Sequence, residues 1–195
     1  MLRSRAAAVL ALSVLTLAGG LQSPSFAVDA STTITLNVTG CDGCVFQAQN
    51  ATDVASPFNG PKAKVTKGVA VMTVPTAQTV GMVLTLQPSW TSESNAEPLV
   101  VFQYKGAAPG QRITKSQAMT YKKASPCWAG TDAAQAQIRI TVRRVWAPAF
   151  DPGNANPGRT QLPLAWVVPT QVAPTPFWPT YKGVLATQNV VECGA

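Results

Sequence analysis

The clearest structural pattern of the chain lies at residues 32–39, whose sequence is TTITLNVT. Ile34, Leu36 and Val38 alternate with threonine and asparagine, and this period of two is that of a β-strand with one buried face and one wet face. Threonine, isoleucine and valine are also residues that fit a pleated surface well. The stretch therefore predicts a strand near the start of the folded domain.

Similar apolar or alternating segments recur along the chain, and proline, glycine or polar clusters separate them. We predict further strands at residues 45–49, 69–74, 80–86, 99–104, 138–142, 164–168 and 189–193. Asp42-Gly43 suits a tight turn, so residues 45–49 are expected to pair back onto the first strand as a hairpin. Arg144 interrupts the alternation of its segment, which predicts a bulge or a strand end there.

The pattern predicts an all-β fold. Helical periodicity is weak after residue 27, and residues 114–123 favour at most one short helix. About eight short strands with turn signals between them predict a single-domain β-sandwich, immunoglobulin-like in general architecture, with a barrel as the alternative. Half of the 16 prolines fall after residue 147. Because proline removes a ladder donor, we expect long Pro-rich loops at residues 151–159 and 172–178.

Residues 1–27 have the organisation of a secretory signal peptide. Arg3 and Arg5 precede an apolar run at residues 6–18, and Ser25 and Ala27 are small residues at a cleavage site. The run is short for a bilayer span, although an uncleaved membrane anchor is the alternative. We therefore predict a cleaved signal and a secreted, extracellular domain over residues 28–195, without a transmembrane segment.

Composition excludes several classes of active site. The chain has 195 residues, 15 Lys and Arg, 8 Asp and Glu, and no His. Without histidine there is no Ser-His-Asp triad, no Cys-His pair and no histidine metal site. Loss of Arg3 and Arg5 with the signal lowers the net charge from +7 to +5. This modest basic excess favours anionic partners, and nucleic acid is not expected for an exported protein.

The even number of cysteines predicts disulfides in an exported protein. Cys41 and Cys44 flank the predicted turn, so they are expected to bond to each other, which leaves Cys127 to bond to Cys193. A redox-active Cys-x-x-Cys pair would need a helix N-terminus. A zinc site would usually need two tight pairs. We therefore expect structural disulfides, no metal and no cofactor.

The acidic residues follow no catalytic motif. Besides Asp29 next to the predicted cleavage site, they are Asp42, Asp53, Glu93, Glu97, Asp132, Asp151 and Glu192. Glycoside hydrolysis needs two carboxylates facing one bond, and two distant loops would have to bring them together. We interpret these residues as solvated or turn residues, so no catalytic residue is assigned and an enzyme is the less favoured class.

Basic and aromatic residues supply the binding candidates. Arg139 and Arg143 share the polar face of one predicted strand, where guanidinium groups contact phosphate or carboxylate well. Edge protection and solubility are the alternative roles. Two lysine clusters lie at residues 62–67 and 115–123. Phe177, Trp178 and Tyr181 of the Pro-rich tail suit stacking on sugars or anchoring a protein, unless they cover open sheet edges.

Two sequons, Asn37-Val38-Thr39 and Asn50-Ala51-Thr52, match the N-glycosylation pattern. Taken together, the sequence predicts a non-catalytic exported binding or interaction module at the cell surface or in the extracellular space. Its expected partners are an anionic cell-surface polymer, a glycan or another secreted protein. The alternatives are a carboxylate-based enzyme acting on glycans, a Cys-x-x-Cys thiol oxidoreductase, and a structural protein without a small ligand.

Overall fold

The computed structural model describes residues 30–90, 98–120, 122–148, 158–172 and 175–180, together with Leu185 and Cys193. The predicted signal peptide, Tyr181, most of the predicted loop at 151–159 and all of the predicted strand at 189–193 except Cys193 lie outside these residues. Within them the fold is all-β, as predicted. The strands are β1 (Ser31–Thr39), β2 (Val45–Asn50), β3 (Phe58–Lys64), β4 (Val69–Pro75), β5 (Val83–Gln87), β6 (Val100–Val101), β7 (Gln103–Tyr104), β8 (Ala124–Ser125), β9 (Gln135–Pro148) and β10 (Arg159–Val167).

The strands form sheets of different sizes. The larger sheet has five strands in the order β4-β1-β9-β10-β6, and the smaller has three in the order β3-β2-β5. β1 runs parallel to β9 and β10 runs parallel to β6, whereas the other pairs in these two sheets are antiparallel. β7 and β8 form a separate antiparallel pair. A single bridge between Thr85 and Leu99 links β5 to the residue before β6.

The alternation of residues 32–39 sets the orientation of β1 as predicted. Ile34, Leu36 and Val38 are buried, and the residues between them are partly exposed. These three side chains join the largest core cluster, which also contains Phe46 of β2 and Leu84 of β5. The core therefore draws side chains from both the larger and the smaller sheet.

The predicted hairpin between β1 and β2 is wrong. β1 pairs with β4 and β9, whereas β2 pairs with β3 and β5, so the turn at Asp42-Gly43 carries the chain from one sheet to the other. Both strands alternate, and both bury their apolar side chains in the shared core. Opposite sheets satisfy this pattern as well as a hairpin does, and the sequence pattern does not distinguish the two arrangements.

The predicted bulge at Arg144 is also wrong. β9 and β10 pair without a register shift from Arg159 and Pro148 to Val167 and Ile140. What changes along β9 is the face that is covered. Ile138 and Ile140 point into the large core, whereas Val145 lies on the opposite face in a second core cluster. The break in alternation therefore marks the boundary between two cores, and the strand itself continues.

Two other predicted elements are shorter than expected. Residues 80–82 precede β5 because Thr76–Gln78 form a 3-10 turn, and Gly81 adopts a positive φ of 73°. The helix predicted over residues 114–123 is limited to one turn, α1 (Lys115–Ala118). In the described part of the chain, no helix has both the length and the apolar character needed to cross a membrane.

Candidate anion-binding cleft

The face of the five-stranded sheet that points away from the large core is called here the outer face, and it has two different halves. Over β10 and β6, residues 105–120, the covering segment, close the sheet by packing Ile113 and Ala118 against Leu164 and Trp166. Over β4, β1 and residues 135–141 of β9 the outer face is more accessible, and Val71 is 54% exposed there. We call these the covered half and the open half.

A cleft of about 520 Å³ lies where the two halves meet. It is lined by Asn37, Val38, Thr39, Lys67, Gly68, Val69, Arg112, Arg139, Ile140, Thr141 and Val168. Lys67, Arg112 and Arg139 come from three separate segments of the chain and converge on this cleft. Asn37, Thr39 and Thr141 add neutral polar groups, so the cleft combines positive charge with hydrogen-bonding capacity.

A tight turn between β3 and β4 places Lys67. Thr66 and Val69 exchange backbone hydrogen bonds of 2.8 and 3.1 Å across the two-residue loop Lys67-Gly68. Both loop residues have positive φ, 51° at Lys67 and 77° at Gly68, as a primed hairpin turn requires. The turn is held to β1 because the Val38 N–H donates to the Gly68 carbonyl oxygen at 2.7 Å. Lys67 is thereby fixed at the tip of a short, well-bonded loop.

A buried threonine holds the backbone that carries Arg112. The Thr170 hydroxyl lies 2.9 Å from the Ala108 carbonyl oxygen and 2.8 Å from that of Gln111. The Thr170 N–H also donates to Gln111 O at 2.9 Å, and Gly110 N–H donates to Thr170 O at 2.9 Å. Ile113, the next residue after Arg112, is buried in the second core. These contacts tie the start of the covering segment to the end of β10.

Arg139 lies on β9, which is a central strand of the larger sheet. In the sheet register Asn37 of β1 pairs with Val69 of β4 on one side and with Arg139 on the other. Val168 completes this row, because its N–H donates to the Arg139 carbonyl oxygen at 2.8 Å. Arg139 therefore projects from a rigid part of the sheet, next to the amide side chain of Asn37.

The cations of the cleft have no neutralising partner in the part of the chain that the structure describes. Within that part, Lys67, Arg112 and Arg139 form no ion pair. The Asp42 carboxylate accepts a hydrogen bond from the Gly68 N–H at 3.4 Å, but Asp42 does not line the cleft. Three unpaired cations around one concave surface favour an anion there, because each can donate charge-assisted hydrogen bonds.

Of the predicted binding residues, Arg139 alone is among those lining the cleft. Arg143 lies on the same outer face but further along β9, beside Leu164 of β10. Phe177 and Trp178 are half-buried, and Trp178 packs against the cluster that contains Cys127 and Cys193. Tyr181 lies outside the described residues, and its role in binding stays a prediction.

The lysine clusters separate in the structure. Lys62 and Lys64 lie on β3, an edge strand of the smaller sheet, whereas Lys67 reaches the cleft. Arg112 was not recognised from the sequence. It stands alone among neutral residues, and only the folded path of the covering segment brings it beside β9. No sequence signal that we can identify would have found it.

Both disulfides are present with the expected pairing, Cys41 to Cys44 and Cys127 to Cys193. Cys41 is 4% exposed and Cys44 is fully buried, and the residues between them form a turn that links two strands. Reactive cysteines usually have an accessible sulfur and often a helix N-terminus that lowers the thiol pKa. All four sulfurs are bonded, which leaves no thiolate for a zinc ion.

Two of the described carboxylates accept hydrogen bonds from the backbone of turns or loops. Asp53 accepts a hydrogen bond from the Ala55 N–H at 3.0 Å, and Asp42 contacts Gly68. Among the described residues, none that lines the cleft is acidic, and no cluster of three or more His, Cys, Asp or Glu is suited to a metal ion. The cleft residues therefore offer charge and hydrogen bonds, and they do not include a carboxylate pair.

The two sequons differ in accessibility. Asn50 is 3% exposed, and its amide nitrogen donates to Gln78 O at 2.9 Å and to Val80 O at 2.7 Å. Both amide hydrogens are thereby used, so a glycan on Asn50 is incompatible with this fold. Asn37 is partly exposed and lines the cleft.

Comparisons with models of known protein families, with curated proteins and with solved structures found no match for this chain. Function is therefore inferred from the chemistry of the cleft and from the sequence of the chain.

Proposed function

We propose that the protein is an exported, non-catalytic binding domain that holds an anionic group of a cell-surface or extracellular ligand in the cleft between Lys67, Arg112 and Arg139. In this proposal the two sheets are the layers of an immunoglobulin-like β-sandwich, and the outer face of the larger sheet is the binding surface. The observation behind the proposal is that three cations from separate segments converge on one cleft and have no ion-pair partner among the described residues.

Export is supported by two independent features. Residues 1–27 have the basic start, apolar run and small-residue cleavage site of a signal peptide. Two disulfides are typical of proteins that fold in an oxidising compartment. The ligands available outside the cell include anionic polymers, and the net positive charge of the chain favours association with them.

A binding role is supported by the kinds of side chain in the cleft. The guanidinium groups of Arg112 and Arg139 suit bidentate contacts with carboxylate, sulfate or phosphate. Lysine, threonine and asparagine supply the remaining polar contacts. A hydrolase would need a general acid and base facing the ligand, and the described residues that line the cleft include no carboxylate. An enzyme is therefore the less favoured function.

The test is binding of heparin and of polygalacturonate to the secreted domain, measured by titration calorimetry at low and at physiological salt. We expect Arg139→Gln, Arg112→Gln and Lys67→Gln each to weaken binding by about tenfold, since a hydrogen bond to a charged group contributes about 1.5–3 kcal/mol. Binding by the native domain should also weaken as salt increases.

The matched control is Lys64→Gln, which removes the same charge from the β3 edge of the smaller sheet. It should leave affinity within about twofold of the native value, because Lys64 does not line the cleft. Thermal unfolding of every variant verifies folding. Equal losses for the control and the cleft variants, or no binding by the native domain, would reject the proposal.

A further inference from the structure

Arg143 lies on the outer face but outside the cleft, and the proposed function gives it no role. The inference drawn from it concerns the ligand of the cleft and rests on the proposed function. Arg143 is exposed and lies four residues beyond Arg139 on the same face of β9. At about 3.3 Å per residue the two Cα atoms are roughly 13 Å apart. Thr141 lies between them and lines the cleft. The outer face of β9 thus presents arginine, threonine and arginine in a line that starts in the cleft and leaves it.

The chain leaves this line accessible on one side. β1 accompanies β9 only as far as the pair Thr39 and Thr141, and it turns away at Gly40, which has a φ of 90°. A Cβ at position 40 would collide with the Val142 carbonyl oxygen, so the crossing is a close backbone contact. Beyond that crossing Arg143 has no β1 neighbour. A ligand in the cleft can therefore extend along β9 toward Arg143.

The surroundings of the line indicate the chemistry of the ligand. β9 is hydrogen-bonded to β1 on one side and to β10 on the other along the cleft, so an extended peptide cannot add to it as a further strand. Recognition must use side chains. Those present are cations, the neutral polar groups of Asn37, Thr39 and Thr141, and the apolar side chains of Val69 and Val168.

This combination matches a ligand that carries oxyanions, hydroxyl groups and apolar ring faces together. A bare polyphosphate would leave the neutral and apolar groups without partners. We infer that the ligand is a linear anionic glycan that lies along β9, with one anionic group in the cleft and a second at Arg143. Carboxylated and sulfated glycans share this chemistry.

The test measures affinity against ligand length by calorimetry. It uses galacturonate oligomers from monomer to octamer, which carry carboxylates, and keratan sulfate oligosaccharides of similar length, which carry sulfates and no carboxylate. We expect affinity to rise stepwise when the oligomer becomes long enough to reach Arg143. Arg143→Gln should remove that step, by about tenfold for the longest oligomers, and leave the shortest oligomers unchanged. Arg139→Gln should weaken every length that binds.

Lys62→Gln on β3 is the matched control and should change no length. A carboxylate or a sulfate series that shows the Arg143-dependent step supports the inference and identifies the type of oxyanion. If Arg139→Gln weakens binding but Arg143→Gln leaves the octamers unchanged, the inference is overturned and the proposed function stands. If tripolyphosphate binds through the cleft and neither glycan series does, the glycan assignment is overturned alone. If none of these probes binds, both proposals are overturned.

Discussion

The two halves of the outer face belong to one sheet, yet they differ in what lies above them. On the covered half, Leu164 is fully buried beneath the covering segment. On the open half, Thr33, Thr35 and Asn37 occupy the equivalent outward positions of β1 and are partly exposed. Strand alternation is the same in both halves. What separates them is a single segment between β7 and β8, residues 105–120.

The comparison shows how a binding cleft arises from a partly covered sheet. The covering segment contributes Arg112 to one wall of the cleft. The turn between β3 and β4 contributes Lys67 to the other wall. The sheet supplies the floor with Arg139. A fully covered face would have no cleft, and a fully open face would have no walls.

The largest expected effect separates the two disulfides, which close loops of very different length. Cys127 follows β8, where the chain returns from the covering segment, and its bond to Cys193 spans 66 residues. Replacing both with alanine should lower the free energy of unfolding by about 4 kcal/mol, because a long loop regains its chain entropy. Urea unfolding measures this loss.

The control pair is Cys41 and Cys44, whose bond spans three residues after β1. Their double alanine variant should lose only about 2 kcal/mol in the same entropy model. Equal losses for the two double variants would contradict the distinction.

The second effect compares side chains on the same outer face. Leu164→Ala should cost about 3 kcal/mol of stability, since it leaves a cavity beneath the covering segment. Thr35→Ala on the open half should stay within about 0.5 kcal/mol of the native value. Thermal and urea unfolding of both variants give the comparison. A costly Thr35→Ala would show that the open half is covered in solution.

The third effect concerns the short helix of the covering segment. Thr114 caps α1, since its hydroxyl accepts from Gln117 N–H at 3.2 Å and its own N–H donates to Gln117 Oε1 at 2.8 Å. Thr114→Ala should cost about 1 kcal/mol. Amide hydrogen exchange should accelerate in residues 113–120 and not in β1.

Ser116→Ala, at an exposed position in the same helix, is the matched control and should be neutral or slightly stabilising. Loss of protection in both variants, or in neither, would show that the capping box does not hold the segment.

The smallest effect distinguishes two adjacent arginines. Arg144 lies over the Trp90 ring at 4.3 Å from its centroid, on the face of β9 opposite to Arg143. Arg144→Gln should lower stability by about 0.5–1 kcal/mol and leave oligosaccharide affinity unchanged. Arg143→Gln should weaken oligosaccharide binding and leave stability unchanged. If Arg144→Gln weakens binding as much as Arg143→Gln, the ligand does not lie along the outer face.

The sequence predicted those parts of the fold that depend on local pattern. β1 follows from strict alternation, and both disulfides follow from spacing and count. The pairing of β1 and β2 did not follow, because a turn closed by Cys41 and Cys44 is compatible with a hairpin and with a corner between sheets. Likewise, the break in alternation at Arg144 does not end the strand. It marks the point on β9 where the buried side chains shift from the face of the large core to the face of the second core.

The candidate site was only partly visible in the sequence. Arg139 was identified because it shares a strand face with Arg143, and Lys67 only as one of three nearby lysines. Arg112 depends on a loop held by Thr170, which lies 58 positions later in the chain. Long-range hydrogen bonds of this kind leave no periodic signal, and they decide which cations converge.

The most direct test of the proposed cleft is a map of backbone amide chemical shifts in the ¹⁵N-labelled protein titrated with a galacturonate octamer. We expect the largest shift changes where the two halves meet, at residues 37–39, 67–69, 112 and 139–143. Shifts centred on the β3 edge at residues 62–64, or around Trp178, would contradict it.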